Sequence, residues 1–363
     1  MTENEDHQPR GPRGRTTKGD GMAEARVIPI RGNRGPARPA RVEEAAGPAA
    51  VPPMPTTADD TAAGDPAAGD TAAEDTAAEN EAQPAWEARL EQVLDFLRRR
   101  LAGDYQIDEF GFDAELTEAL VLPTLRPLYQ RWFRVETIGT HHIPETGGAL
   151  LVANHSGTLP LDAAMTTVAV HDDHPAHRHL RLLGADLMFT LPVSGSLARK
   201  SGATLACNPD AERLMRSGEV VGVYPEGFKG IGKPFRDRYK LQRFGRGGFV
   251  SAALRTGVPI IPCSIVGAEE IYPKIGDLAP LARLFGAPYF PITPTFPLLG
   301  PAGLVPLPSK WYIEFGEPIH TDQHTPADAE DPMLVFNLTD QVRETIQHTL
   351  YRLLSQRRNV FLG

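Results

Sequence analysis

Residues 149–162 read ALLVANHSGTLPLD, and the order of these residues decides the fold. Ala149 to Ala153 form an uninterrupted apolar run, the pattern of a strand buried on both faces of a sheet. The run stops at Asn154-His155-Ser156-Gly157, so the imidazole is expected at a strand end and not inside a core. Pro160 suits the first turn of a helix. That places Asp162 in the same turn, where unpaired N–H groups and the helix dipole favour a carboxylate. A loop bent ahead of Pro160 can fold His155 back onto Asp162.

Such a pair has a defined chemistry. A neutral imidazole accepts a proton near neutral pH, and a hydrogen-bonded carboxylate fixes its tautomer and supports the imidazolium that forms. Taken alone, the two residues read equally well as a loop histidine and a helix-capping aspartate, because such pairs also arise structurally.

Outward from this stretch, short apolar runs alternate with helical periodicity, which predicts an α/β fold with a mainly parallel central sheet flanked by helices. Strands are expected at Ala149 to Ala153, Leu180 to Gly184, Val220 to Tyr224, Ile260 to Val266 and Trp311 to Phe315. Helices are expected near Leu161 to Val170, Pro209 to Ser217 and Arg246 to Thr256, with a terminal helix carrying Leu338, Val342, Ile346, Leu350 and Leu353. Ahead of the sheet, Trp86, Leu90, Val93, Leu94, Leu97 and Leu101 recur at helical spacing. A second apolar stretch, about Ala114 to Phe133, is interrupted by Pro123 and Pro127, and core packing is its favoured reading over a membrane surface. Active sites in such sheets gather at the carboxyl ends of strands. Two strands run into polar motifs there, NHSG after Ala153 and PEG after Tyr224.

The first 84 residues hold too few large apolar side chains to offset the entropy of ordering them, and they are expected to be a disordered low-complexity tail. The division expected is 1–84 tail, 85–135 N-terminal amphipathic helices, 136–325 a catalytic domain and 326–363 a C-terminal helix packing on it. A net charge of −9 says little about partners. Two cysteines, Cys207 and Cys263, support neither a disulfide framework nor a secreted setting. No apolar run is long enough to span a bilayer, and Ala287 to Pro308 is broken repeatedly by proline. From Lys229 to Arg246 there are seven Lys or Arg side chains against one acid, Asp237. That strip could attract a phosphate, an acidic carrier or anionic headgroups, or it could be a solvated loop.

In this setting NHSGTLPLD resembles the opening block of the phospholipid/glycerol acyltransferase family (PlsC-like, lysophosphatidate acyltransferase-like), whose mark is Asn-His and then Asp after four further residues. Here six residues, Ser156 to Leu161, intervene. Tyr224-Pro225-Glu226-Gly227, with Phe228 and Lys229, is similar to the family's Phe-Pro-Glu-Gly-Thr-Arg block. Pro192 to Gly202 is similar to the approach to the second block, where Leu205-Ala206-Cys207-Asn208 stand in place of an expected Arg. Val258-Pro259-Ile260-Ile261-Pro262 matches the fourth block, after a helix from Gly247 to Leu254. The resemblance spans roughly Leu128 to Ile319.

It implies an O-acyltransferase of the 1-acylglycerol-3-phosphate type. The donor would be acyl-CoA or acyl carrier protein, used as co-substrate with no cofactor, and the acceptor a lysophospholipid or related glycerolipid. His155 and Asp162 would be catalytic. Asn154, Ser156, Gly157, Glu226, Gly227, Lys229 and Asn208 would line the substrate, with the backbone N–H groups of Ser156 and Gly157 as candidates to hold the oxyanion. The setting implied is phospholipid biosynthesis by a peripheral membrane protein on the cytoplasmic face, with no nucleic acid.

Three other readings compete. Gly227 to Lys233 has the G-x-x-x-x-G-K spacing of a nucleotide loop, but Pro234 replaces the Ser or Thr that would hold Mg²⁺. No G-x-S-x-G elbow supports a serine hydrolase. A non-catalytic lipid-binding or membrane-adaptor protein would keep the cationic strip and make His155 dispensable. The run HDDHPAHRH, His171 to His179, matches no zinc spacing and reads as a surface loop, so no metal is expected.

Overall fold

The structure, a computed structural model, describes residues 85–156, 159–190, 192–284 and 289–363. The expected tail, 1–84, lies outside these residues. Asp95–Gly363 belongs to one compact unit, and Ala85 to Leu94, the start of the first helix, falls in another.

Among the described residues the first element is α1 (Ala85–Ala102), then a helical stretch in which α2 (Ala114–Leu116) and α3 (Leu122–Pro127) alternate with π-helical turns at Thr117–Val121 and Leu128–Trp132. Asp113 caps α2 by accepting the Leu116 N–H, and its carboxylate also pairs with Arg100 of α1. Next come β1 (Glu136–Ile138), β2 (Ala149–Ala153), α4 (Leu161–Asp172), β3 (Leu180–Gly184), α5 (Asp186–Thr190), α6 (Pro192–Lys200), β4 (Thr204–Leu205) and α7 (Asn208–Arg216). Then follow β5 (Val220–Val223), α8 (Phe228–Ile231), α9 (Gly248–Thr256), β6 (Ile260–Val266), β7 (Gly276–Asp277), α10 (Ala279–Leu284), β8 (Pro291–Ile292), β9 (Tyr312–Phe315) and α11 (Pro332–Gln356).

Seven strands pair in the order β1-β9-β6-β2-β5-β3-β4. From β6 to β4 every pairing is parallel, while β9 lies antiparallel to β6 and carries β1 parallel to itself. The fold is therefore α/β with a mainly parallel sheet, reversed at one edge. β7 and β8 form a separate antiparallel pair.

β2 and β6, at the centre, are buried at every residue. Strand side chains alternate between faces. Leu150 and Val152 enter a core with Leu214 of α7, Val250 of α9 and Val342 and Ile346 of α11, whereas Ala149, Leu151 and Ala153 meet Met165 and Val168 of α4, Leu122 and Phe133. Burying each such Leu or Val contributes about 1.5–3 kcal/mol, which holds the helices in a layer on each side of the sheet.

Candidate active site

β2 sits between β5 and β6, with Val152 opposite Val223 and Ala153 opposite Cys263, so the loops leaving β2 and β5 emerge side by side. Asn154 is where the chain leaves the sheet. Its side-chain amide donates to Ile265 O (3.0 Å) and accepts the Ile265 N–H (2.7 Å). The side chain thus takes the place of a peptide group in the ladder, and the main chain is free to turn away while β6 stays hydrogen-bonded. Asn154 is wholly buried, with both ends of its amide occupied. Asn154, expected to line the substrate, is thus placed where its side chain shapes the strand end.

His155 follows, with its side chain 14% exposed. Its Nδ1 lies 2.7 Å from Asp162 Oδ2. Because a carboxylate only accepts, this bond assigns the proton of the neutral imidazole to Nδ1, the tautomer in which Nε2 carries the lone pair. Asp162 stands in the first turn of α4, after Pro160 at the N-cap. Its Oδ2 also accepts the Ser156 N–H (2.8 Å), and its Oδ1 accepts the Ala163 N–H (2.8 Å). Those bonds hold the carboxylate, wholly buried, in one orientation behind the ring. The N–H of Ser156, an expected oxyanion donor, is bonded to Asp162 here. Ser156 Oγ is buried without a hydrogen-bond partner among the described residues. Gly157, the other expected donor, lies outside the described residues.

Tyr224, at the end of β5, packs its ring 4.7 Å from the His155 ring. Its hydroxyl donates to Thr166 Oγ (3.2 Å), and Thr166 donates to Asp162 O (2.8 Å). Burial, and then the charge of Asp162, push the Tyr224 pKa well above its ordinary value, so the phenol stays protonated. The same two causes raise Cys263, which keeps its thiol protonated and makes it a poor nucleophile.

The β5 loop braces His155 from behind. Glu226 Oε1 accepts the His155 N–H (2.9 Å), and Oε2 accepts the Gln242 N–H (2.6 Å) and lies 3.4 Å from Lys233 Nζ. The Glu226 side chain, expected to line the substrate, is at 0% exposure and meets the main chain of His155. Lys233 continues inward to Glu269 Oε1 (3.1 Å) and Lys240 O (3.2 Å). It is therefore not part of the cationic strip's field, and the nitrogen a nucleotide loop would aim at phosphate is spent on two carboxylates. Burial raises Glu269 to about 7, against the opposing effect of Lys233.

Gly227 has φ +55 and ψ −144, a conformation in which side chains are strained. It is exposed, as is Lys229 on α8. Gly230 escaped the sequence reading. A Cβ there would lie 2.8 Å from His155 O, 2.9 Å from His155 Cβ and 2.8 Å from Glu226 Cβ, so only glycine lets α8 pack this closely behind the imidazole. Asn208 begins α7, its amide against Gly248 of α9, and no hydrogen bond joins it to His155 among the described residues. The contribution of Glu269 had a faint sequence signal, an acid pair beginning three residues after a fully buried strand; the close approach at Gly230 had none.

The sequence profile of the acyltransferase family matches residues 134–266, which contain His155, Asp162 and Glu226. An uncharacterized protein of Mycobacterium tuberculosis is 64% identical over 284 residues, 78% of this chain and 79% of its own length. The 1-acyl-sn-glycerol-3-phosphate acyltransferase alpha of Mus musculus is 29% identical over 167 residues, 45% of this chain and 56% of that enzyme. Among solved structures, the lysophosphatidate acyltransferase PlsC of Thermotoga maritima aligns with a TM-score of 0.42 at 20% identity, covering 66% of this chain and 83% of that one.

Proposed function

The chain belongs to the acyltransferase family, and from that premise we propose that it moves a fatty acyl group from a thioester, acyl-CoA or acyl carrier protein, to a hydroxyl of a lysophospholipid or related glycerolipid. The observation that carries the reading is the 2.7 Å bond from His155 Nδ1 to Asp162 Oδ2 at the carboxyl end of the central strand. It leaves Nε2 as the proton acceptor.

In this mechanism Nε2 takes the acceptor's hydroxyl proton as its oxygen bonds to the thioester carbonyl carbon. Asp162 stabilises the imidazolium. The tetrahedral intermediate then expels the thiolate, which recovers the proton from Nε2, so the products are an ester and a free thiol. Glu226 and Gly230 hold the histidine main chain in place, and the exposed Lys229 supplies positive charge beside the strand ends. The hydrophobic half of the substrates fits a lipid surface. Leu298, Leu299 and Val305 are each more than half exposed, and no helix among the described residues is long and apolar enough to cross a membrane. We place the enzyme on the cytoplasmic face of that surface.

The test is an acyl-transfer assay with a panel of lysophospholipid, glycerol phosphate and neutral glyceride acceptors and both thioester donors, comparing wild type with His155→Ala and Asp162→Asn. Transfer by the wild type that is lost in His155→Ala supports the mechanism. Equal activity of His155→Ala would refute the base assignment, and no transfer with any acceptor would favour a lipid-binding adaptor.

A further inference from the structure

α4 ends about 15 Å from Asp162, at a rise of 1.5 Å per residue, in a second cluster of imidazoles and carboxylates. Glu118 on the π-turn after α2, His171 in the last turn of α4 and His179 just before β3 bring one carboxylate oxygen and two imidazole nitrogens within 4.8 Å of one another. His179 Nε2 is 3.0 Å from Glu118 Oε1, and the rings of His171 and His179 are 5.2 Å apart between centroids. Behind them, His171 Nδ1 bonds to Asp172 Oδ1 (2.8 Å). Arg126 grips that carboxylate with both prongs, Nε to Oδ2 at 2.7 Å and Nη2 to Oδ1 at 2.8 Å.

We propose that Glu118, His171 and His179 bind a divalent transition-metal ion of the zinc class. Two imidazoles and one carboxylate suit zinc and its neighbours, whereas calcium and magnesium take oxygen donors. Tetrahedral zinc, with bonds of about 2.0–2.1 Å, needs its donor atoms roughly 3.4 Å apart. The His179–Glu118 pair is already that close, and side-chain rotation brings the third donor in. A carboxylate on the far nitrogen of a ligating histidine, itself held in place, is the usual support of such a ligand, and Arg126–Asp172–His171 supplies it. His171 and His179 are 13% and 21% exposed, so an ion can reach them from solvent.

The histidine run concealed this set because two of its members serve other ends. His174 is buried with Nε2 on Ile143 O, and His177 turns Nδ1 to His171 O. The carboxylate comes from 61 residues before His179, in a segment without metal-like spacing. A bound ion would tie the N-terminal helical stretch to α4 and to the entry of β3, with a fourth position open to water.

The full chain should be stripped with chelator, reloaded with ZnCl₂ or CoCl₂ and desalted. The expected result is retention of about one equivalent of zinc, visible d–d absorption of the cobalt form, and a rise in Tm on zinc addition. His171→Ala and His179→Gln should lose the metal and the Tm rise while keeping the wild-type circular dichroism spectrum. The milder Glu118→Gln, at an exposed side chain, should weaken binding at least tenfold, and His348→Ala, on the exposed side of α11, should bind as wild type does. A wild-type chain that retains no metal overturns the proposal, as does undiminished binding by folded His171→Ala, His179→Gln and Glu118→Gln.

Discussion

Helix α4 joins an imidazole to a carboxylate at both ends, and the two ends differ in how those groups are held. At its start, a single imidazole meets a wholly buried carboxylate whose oxygens are otherwise taken by the Ser156 and Ala163 N–H groups. At its finish, two imidazoles meet Glu118, whose side chain is 56% exposed, and a second carboxylate held by Arg126. The hydrogen-bond lengths, 2.7 Å and 3.0 Å, do not separate the cases. What separates them is the number of nitrogens that converge and how far the carboxylate is committed elsewhere. On the two proposals made above, one imidazole on a committed carboxylate serves as a proton acceptor and two around an uncommitted one serve as a ligand set.

That contrast can be broken most directly at His155. His155→Ala is expected to lower kcat/KM for acyl transfer about 10³-fold, within the range of general-base catalysis, with Tm little changed. Asp162→Asn should follow at about 10²-fold. Its amide must also present a donor where Ser156 and Ala163 already donate, so Tm falls too. If Asp162→Asn keeps full activity, the carboxylate is a helix cap and the two ends of α4 do not differ in the way described. Gly230→Ala should lower kcat by roughly 10-fold or more through displacement of His155, with KM less affected, since misplacement by an ångström costs up to about 10² in rate. Unchanged kinetics would show that α8 shifts freely and does not position the imidazole.

At the other end, Arg126→Met frees Asp172, and zinc affinity should fall about 10-fold as expected for a supporting contact, measured by competition with a chromogenic chelator. The smallest effect concerns pH. Glu269 keeps its proton in the folded protein up to about 7, whereas the unfolded chain loses it near 4.5. Over that window the folded state holds more protons, so this group's contribution to stability is fullest below pH 4.5 and is lost as pH rises to 7. Glu269→Gln should therefore flatten the denaturant-midpoint profile between pH 5 and 7 relative to wild type. An unchanged slope would mean that Lys233 keeps Glu269 ionised throughout.

Much of the sheet was legible because buried strands announce themselves. β2, β3 and β6 begin and end where their apolar runs do, while β5 stops one residue before Tyr224 and β9 starts one after Trp311. β1, β4, β7 and β8 are two or three residues long, too short for any period, and the direction of β9 is not written in an apolar run at all. In the sequence Pro192–Lys200 shows only its likeness to a family segment, whereas the fold makes it helix α6, and the stretch broken by Pro123 and Pro127 stays helical by taking π-turns. Within the site, the residue types were visible, but several partners were not. Asn154, Ser156 and Glu226 look like polar lining in the sequence; in the fold their amide and carboxylate groups are consumed by Ile265, Asp162, His155 and Gln242.

The division follows from distance along the chain. His155 and Asp162 are seven residues apart, and strand end, proline and first helical turn are all local, so the sequence alone determined that they could meet. Glu226 lies 71 residues from His155, Ile265 111 from Asn154 and His179 61 from Glu118. No local preference couples such pairs. Only the parallel packing of β2 between β5 and β6, and of α4 against the helices before the sheet, brought them within a hydrogen bond of each other.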